Sequence, residues 1–273
     1  MASQLIKGKN IDVSKVSASQ PKVLDNGAKL VYVNYNNSRF NIQTPMMELA
    51  WDMSCYTEGP YPKYSMELSF RGADDDEETA AFLEKLNEVD QRLIDIGLEE
   101  SVSFFKKKTT SREVIEGFYN PIVKVSKDRE TGEPDGKWPS TFRVKIPYRD
   151  GKFMPKFYTD GTLRDVNDGE TNLSEMLVKR CRAKCILQCV GIWVASGNYM
   201  CQWQLTKAEL EVPESSNNVE FMPDSDGEDG EIAEDGGSND NDPVMLDDSD
   251  AEQDAENPQP TKPKARKIKV KKG

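Results

Sequence analysis

The stretch Thr141-Phe142-Arg143-Val144-Lys145-Ile146 alternates apolar with polar residues, so Phe142, Val144 and Ile146 face one way and Thr141, Arg143 and Lys145 the other. Tyr148, Arg149, Lys152, Lys156, Phe157 and Tyr158 follow directly. Lys106-Lys107-Lys108 closes a second run behind Phe104 and Phe105, which reads as a strand, and Arg39 precedes Phe40 in a third. Cations that track phosphates, beside rings on which bases stack at about 1–3 kcal/mol each, are the mixture a single-strand binder needs. The plainer alternative is a solvated strand face over ordinary core aromatics, which on composition alone is the commoner arrangement. An acidic segment further along the chain favours the first reading, because a tethered polyanion can occupy a cationic groove when nucleic acid is absent. The candidate nucleic-acid-binding residues are therefore Arg39, Lys106, Lys107, Lys108, Arg143, Lys145, Tyr148, Arg149, Lys152, Lys156 and Tyr158.

Catalysis finds little support. The chain has no histidine, which removes the commonest general base, the Ser-His-Asp type of triad and the usual zinc ligand. It has no GxxxxGK[ST] loop and no GxGxxG opening a helix. Asp165-Val166-Asn167-Asp168-Gly169 has the look of a calcium loop but lacks the distal bidentate Glu, so it reads as a solvated turn. Cys181, Cys185 and Cys189 sit four apart with Cys201 nearby, yet Ile186, Leu187, Val190 and Ile192 among them argue for buried strand thiols rather than a zinc site. No cofactor, metal or catalytic residue is expected. The start of the chain lacks a signal-peptide run, and no stretch approaches the roughly 18 apolar residues of a membrane span. With five cysteines, an odd number, the expectation is an intracellular protein with reduced thiols.

The net charge of −12 conceals a segregation. Residues 213–261 hold 17 Asp and Glu and no Lys or Arg; residues 262–273 hold 7 Lys and Arg and no acid. Residues 1–212 are nearly balanced, at 31 acids and 29 bases, and 11 of those acids fall within Asp74–Glu100. Outside that stretch the folded framework is basic.

The elements that must hold the cationic residues are mostly strands. Residues 1–28 are weakly patterned and read as an N-terminal arm with little structure of its own. From Lys29 the period is two: Leu30–Val33, then Arg39–Gln43 with Phe40 and Ile42 inward, an end or a kink at Thr44-Pro45, and a run reaching Trp51 and Met53. Tyr64, Met66, Leu68 and Phe70 alternate with polar residues. Asp74–Glu78 then opens a helix whose apolar face is Phe82, Leu86, Val89, Leu93 and Ile96, closed by Gly97. A short helix is expected over Ser111–Tyr119, and strands over Ile122–Val125, Thr141–Ile146, Met154–Tyr158, Ala183–Val194 and Tyr199–Leu210, with Trp193 and Trp203 in the core. Residues 29–212 form the domain, 213–261 a disordered acidic tail and 262–273 a basic end. Short strands interrupted by one prominent helix suit an all-β/α+β fold, an OB-type β-barrel with an inserted amphipathic helix; a sandwich such as a jelly roll is the rival.

Two groups of segments carry a resemblance. Cys185-Ile186-Leu187-Gln188-Cys189-Val190-Gly191-Ile192-Trp193 with Cys201-Gln202-Trp203-Gln204-Leu205, and Phe40-Asn41-Ile42-Gln43-Thr44-Pro45 with Tyr64-Ser65-Met66-Glu67-Leu68-Ser69-Phe70, resemble the single-stranded DNA-binding proteins of nucleocytoplasmic large DNA viruses. That family is similar to the OB-fold single-stranded DNA-binding protein of T-odd phages. The likeness spans most of residues 30–212 and implies a non-enzymatic protein of viral DNA replication, recombination or repair. Its implied partners are single-stranded DNA and, through the acidic tail, replication proteins, and its implied location is the host nucleus or a viral replication factory. Phage-type tails end in an aromatic residue, whereas this chain ends in Lys262–Gly273, which invites a separate role as an import signal or a DNA arm. Ser225 and Ser249, each with an acid three residues on, are candidate phosphosites, although any serine in an acidic tail has such a context. A homo-oligomer is compatible with the sequence. The competing functions are a virion structural or DNA-packaging protein and an acidic-tailed chaperone of basic proteins.

Overall fold

The computed structural model describes residues 4–108 and 111–213 of the 273-residue chain. Beyond Pro213, the acidic and basic segments, with Ser225 and Ser249, lie outside the described residues. In chain order the first strands are β1 (Leu5–Lys7), β2 (Val16–Ala18), β3 (Lys22–Val23), β4 (Lys29–Val31), β5 (Val33–Tyr35), β6 (Ser38–Arg39), β7 (Asn41–Leu49), β8 (Ser54–Tyr56) and β9 (Lys63–Ser69). Helices α1 (Glu77–Glu99), α2 (Ser101–Phe105) and α3 (Arg112–Phe118) follow. Then come β10 (Tyr119–Asn120), β11 (Val123–Lys124), β12 (Thr141–Ile146), β13 (Tyr148–Arg149), β14 (Lys152–Phe153), β15 (Lys156–Thr159) and β16 (Thr162–Arg164). A single turn, α4 (Leu173–Met176), precedes the long hairpin of β17 (Arg182–Ala195) and β18 (Asn198–Glu211).

The chain is mostly β with a few helices, and the strand pairings return on themselves. β7 pairs β9, β9 pairs β12, β12 meets β18, β18 pairs β17, and β17 pairs β7. The β12–β18 contact is parallel and the other four are antiparallel. The inward residues expected from the alternation are buried: Phe40, Ile42, Met66, Leu68, Phe142, Val144 and Ile146. Trp203 sits at their centre, edge-on to Phe40 at 5.1 Å and to Phe142 at 6.0 Å. Trp193 instead packs, half-buried, on a small satellite cluster of Leu24, Ala28 and Leu30.

Helix α1 starts where the carboxylates predict. Asp76 caps it by accepting from the backbone N–H groups of Glu78 at 3.4 Å and Thr79 at 3.1 Å. Phe82, Leu86, Val89, Leu93 and Ile96 are all buried, as their spacing requires. The helix does not stop at Gly97 but runs on to Glu99. Gly97 is there for space: a Cβ at that position would lie 2.5 Å from the Tyr199 hydroxyl. One turn earlier, buried Asp90 accepts from the Tyr119 hydroxyl at 2.5 Å and from the backbone N–H groups of Ile122 at 3.0 Å and Val123 at 3.4 Å. Burial pushes its carboxyl up to about 6 against the pull of those three donors.

Four expectations about individual elements need correcting or narrowing. Most of residues 1–28 is built into the fold rather than left as an arm: β1 runs parallel to β7, β2 pairs β5, β3 pairs β4, and Ile11 and Val16 join the core. The anchors there are too short and irregularly spaced to show a period. Thr44-Pro45 kinks its strand rather than ending it, since β7 continues to Leu49. The β17 register slips between Lys184 and Ile186, so Pro45 falls at a bulge, where Thr44 Oγ1 accepts from the Cys185 N–H at 3.0 Å. Phe104 and Phe105 lie on helix α2, not on a strand. Both rings meet Tyr199, at 5.8 and 5.7 Å, which neighbouring strand residues on opposite faces could not do. The run to Trp51 and Met53 is no strand either; it opens a loop.

Candidate nucleic-acid interface

The β9–β12 register fixes the centre of the candidate surface. Arg143 stands opposite Glu67 and Lys145 opposite Ser65, and the Arg143 Nε–H donates to Ser65 Oγ at 3.3 Å. Both cations are half-buried, with their apolar neighbours Phe142, Val144 and Ile146 on the core side of the strand. Lys145 also lies opposite Gln204 of β18.

Where β12 ends, Ile146 pairs with Tyr64, which brings the next ring, Tyr148, against it. Tyr148 pairs with Phe153 across the β13–β14 hairpin, and Tyr64, Tyr148 and Phe153 form a mutual cluster with centroids 4.8–5.0 Å apart. Arg149 and Lys152 are exposed and paired across the same hairpin, which turns through Asp150 and Gly151 at positive φ. These five predicted residues, Arg143, Lys145, Tyr148, Arg149 and Lys152, are thus brought together by one continuous stretch of strand and hairpin.

Beside them stands a group that the sequence alone did not single out. β8 pairs β9 so that Tyr56 is opposite Lys63, whose ammonium lies 6.0 Å from the Tyr56 ring centre. In the loop that joins β7 to β8, Trp51 is 55% exposed with the Lys179 ammonium 5.2 Å from its ring. The Lys179 backbone N–H donates to Asp52 Oδ1 at 2.7 Å and ties the loop to the 176–181 segment. Tyr61, between β8 and β9, is 63% exposed. Large exposed apolar rings are the informative exception to burial, and here each of two carries a cation. The available signal was composition: Trp51, Tyr56 and Tyr61 surround a Gly59-Pro60 turn, where no core is present for rings to fill. A comparable pair, Trp138 with Lys137 at 5.6 Å, occurs in the segment leading into β12.

The remaining predicted residues lie on other elements. Lys156 is exposed opposite Lys207, and half-buried Tyr158 is opposite Glu209; both are on β15, which takes over the β18 edge beyond the β12 contact. Arg39 is exposed on β6, in the separate sheet of β2, β5 and β6. Lys106 ends α2 in a left-handed conformation, φ 57°, followed by exposed Lys107 and Lys108. Its neighbour Lys29 donates to the Phe104 carbonyl at 2.8 Å, and burial, with the adjacent Lys106 charge, holds the Lys29 ammonium below its ordinary range.

Asp165 and Asp168 are occupied in turn hydrogen bonds, Asp168 accepting from the N–H groups of Glu170 at 2.8 Å and Thr171 at 3.0 Å. Cys181, Cys185, Cys189 and Cys201 are buried and Cys55 is exposed. Among the described residues no group of three or more His, Cys, Asp or Glu could hold a metal ion, and no helix is long and apolar enough to cross a membrane.

No family model matches the chain, and no curated protein matches it in sequence. Among solved structures, the single-stranded DNA-binding protein of bacteriophage Enc34, in complex with ssDNA, is similar at 9% identity and a TM-score of 0.40, over 74% of this chain and 97% of that one. The crystal structure of gp2.5, a single-stranded DNA binding protein encoded by bacteriophage T7, is similar at 12% identity and a TM-score of 0.40, over 67% of this chain and 98% of that one.

Proposed function

We propose that this chain is a non-enzymatic single-stranded DNA-binding protein of DNA replication, with an OB-type barrel formed by β7, β9, β12, β17 and β18. In a five-stranded OB barrel, oligonucleotides bind across the second and third strands and against the loops joining strands one to two and four to five. Taken in chain order, the second and third strands are β9 and β12, and the first loop is residues 50–62. The observation that carries the reading is the juxtaposition on those elements of Arg143 and Lys145 with Trp51, Tyr56 and Tyr61 held out on the 50–62 connection, which includes β8. Cations there neutralise phosphates and rings receive bases, with no sequence-specific donors required. Arg149 and Lys152 extend the cationic track along the β13–β14 hairpin.

The remaining parts of the proposal follow from charge. The acidic segment beyond Val212 competes for the same cations and offers a contact for replication proteins, and the basic end serves as an import signal or a second phosphate-binding arm. A viral origin, in the family of nucleocytoplasmic large DNA viruses, and work in the nucleus or a replication factory complete the reading. Fluorescence anisotropy with labelled oligo-dT against a duplex of equal length tests it. Tighter binding to oligo-dT, weakening steeply as salt rises, is expected; equal or tighter duplex binding would overturn the single-strand assignment. Truncation after Val212 should tighten oligo-dT binding at low salt.

A further inference from the structure

Cys189 and Cys201 lie on β17 and β18, and their sulfurs are 3.3 Å apart. They are not register partners: Cys189 stands opposite Trp203, and Cys201 opposite Ile192. The two thiols share one face of the hairpin as diagonal neighbours on either side of the register slip between Cys189 and Gly191, where Val190 has no register partner. That slip depends on Gly191, which has φ +141° and passes so close to β4 that a Cβ would lie 2.5 Å from the Val31 carbonyl oxygen. The irregular backbone that lies between the two thiols is therefore specified by sequence.

From this geometry we propose that Cys189 and Cys201 are a thiol pair that closes to an intramolecular disulfide under peroxide. One thiol attacks hydrogen peroxide as the thiolate, giving a sulfenic acid and water. The second sulfur displaces the sulfenic oxygen as a second water, so two thiols and one peroxide become one disulfide and two waters. The sulfurs must close from 3.3 Å to a bond of about 2.05 Å. Two other buried cysteines serve as internal references. Cys181 and Cys185 are 0% exposed, whereas Cys189 and Cys201 keep 6% and 7% of their surface. The hydrogen bond to Cys189, with burial, holds the Cys201 thiol well above its ordinary range, so the reaction is slow and passes through transient opening of the hairpin. The link joins residues twelve apart in sequence across two ring strands, and its effect is on the persistence of the fold.

The test is peptide mapping of the full chain after incubation with hydrogen peroxide, quenching and alkylation under denaturing conditions. The expected product is a Cys189–Cys201 linked species lighter by two hydrogens, reversed by dithiothreitol, with Cys181 and Cys185 recovered as alkylated thiols. Tm should rise by roughly 5 °C in the oxidised form. Exposed Cys55 is replaced by serine in a parallel sample, which removes chain-to-chain links and should leave the internal link intact. The Cys189→Ser variant should lose both the link and the Tm rise. Recovery of Cys189 and Cys201 as free thiols after Cys55 has been oxidised, or their conversion to sulfinic acids without a link, overturns the proposal without touching the DNA-binding reading. Mapping of the unmodified sequence decides the matter even if the serine variants fail to fold.

Discussion

Tyr119, Tyr199, Phe104 and Phe105 are turned inward beside α1, whereas Trp51, Tyr56 and Tyr61 are turned outward on the loops beside β9. The inward group packs against itself and is held by the Asp90 carboxylate, which draws three donors from the 119–123 segment onto the helix. The outward group packs against cations, Lys179 over Trp51 and Lys63 over Tyr56. The same residue type thus has two settings in one chain: rings under the helix pack into the fold, and rings beside β9 stay exposed, where the proposed function gives them to nucleotide bases. Substitutions should separate these settings, with stability losses on one side and binding losses on the other.

The largest effect belongs to the helix side. Phe82→Ala removes a fully buried ring between Phe70 and Phe142 and should cost about 3–5 kcal/mol of stability, read as a lower urea midpoint. Whatever fraction remains folded should bind oligo-dT with unchanged affinity; a binding loss beyond the unfolded fraction would blur the division.

Asp90 comes next, and its effect depends on pH. Its carboxyl titrates at about 6 in the folded chain against 3.8 ordinarily, so the native state holds this proton more tightly than the unfolded state does. Its contribution to stability is therefore fully present below the ordinary value and declines as pH rises through 6, by about 3 kcal/mol in all. The difference in stability between wild type and Asp90→Asn, measured by urea unfolding from pH 4 to pH 7, should carry that slope. A flat difference would mean that the carboxyl is not desolvated. Asp90→Ala, which leaves the Tyr119 hydroxyl and the Ile122 N–H without their acceptor, should destabilise at every pH by roughly 2–5 kcal/mol.

On the open side, Trp51→Ala should weaken oligo-dT binding by about 1–3 kcal/mol with an unchanged Tm and an unchanged salt slope. Loss of stability without loss of affinity would place Trp51 with the inward rings. The smallest effect is a change of slope. Replacing Arg149 and Lys152 by Gln should flatten the dependence of log affinity on log salt by roughly one unit per lost phosphate contact, for every sequence alike. The same change at Arg39, on the separate β2-β5-β6 sheet, should leave the slope where it was.

The two regions differ also in how far sequence reveals them. The period-two strands and the α1 face were legible because one side of each is buried, and burial imposes a period on the residues: Phe142, Val144 and Ile146, or Phe82, Leu86, Val89, Leu93 and Ile96. Residues 5–23 carry too few anchors per element for any period to emerge. Whether Pro45 ends or kinks its strand, and that Gly97 does not close its helix, could not be read locally because their roles, at a bulge and against Tyr199, depend on residues more than a hundred positions away. Of the candidate site, Arg143 and Lys145 come from strand alternation and Tyr148, Arg149 and Lys152 from adjacency in sequence, and the fold sets the five side by side. Trp51, Tyr56 and Tyr61 were not legible, because the 50–62 connection holds only the three-residue strand β8 and shows no period, and only the fold places it beside β9. Lys106–Lys108 and Arg39 were grouped with them on residue type alone, and they stand on other elements.

Ultraviolet cross-linking of oligo-dT to the full chain, followed by mass mapping of the adducts, tests the binding face most directly. Adducts on Trp51, Tyr56, Tyr61 or Tyr148 are the predicted result, suppressed by excess unlabelled oligo-dT. Adducts confined to the β6 region or to residues 104–108, with none in the 50–62 loop or the β13–β14 hairpin, would contradict it.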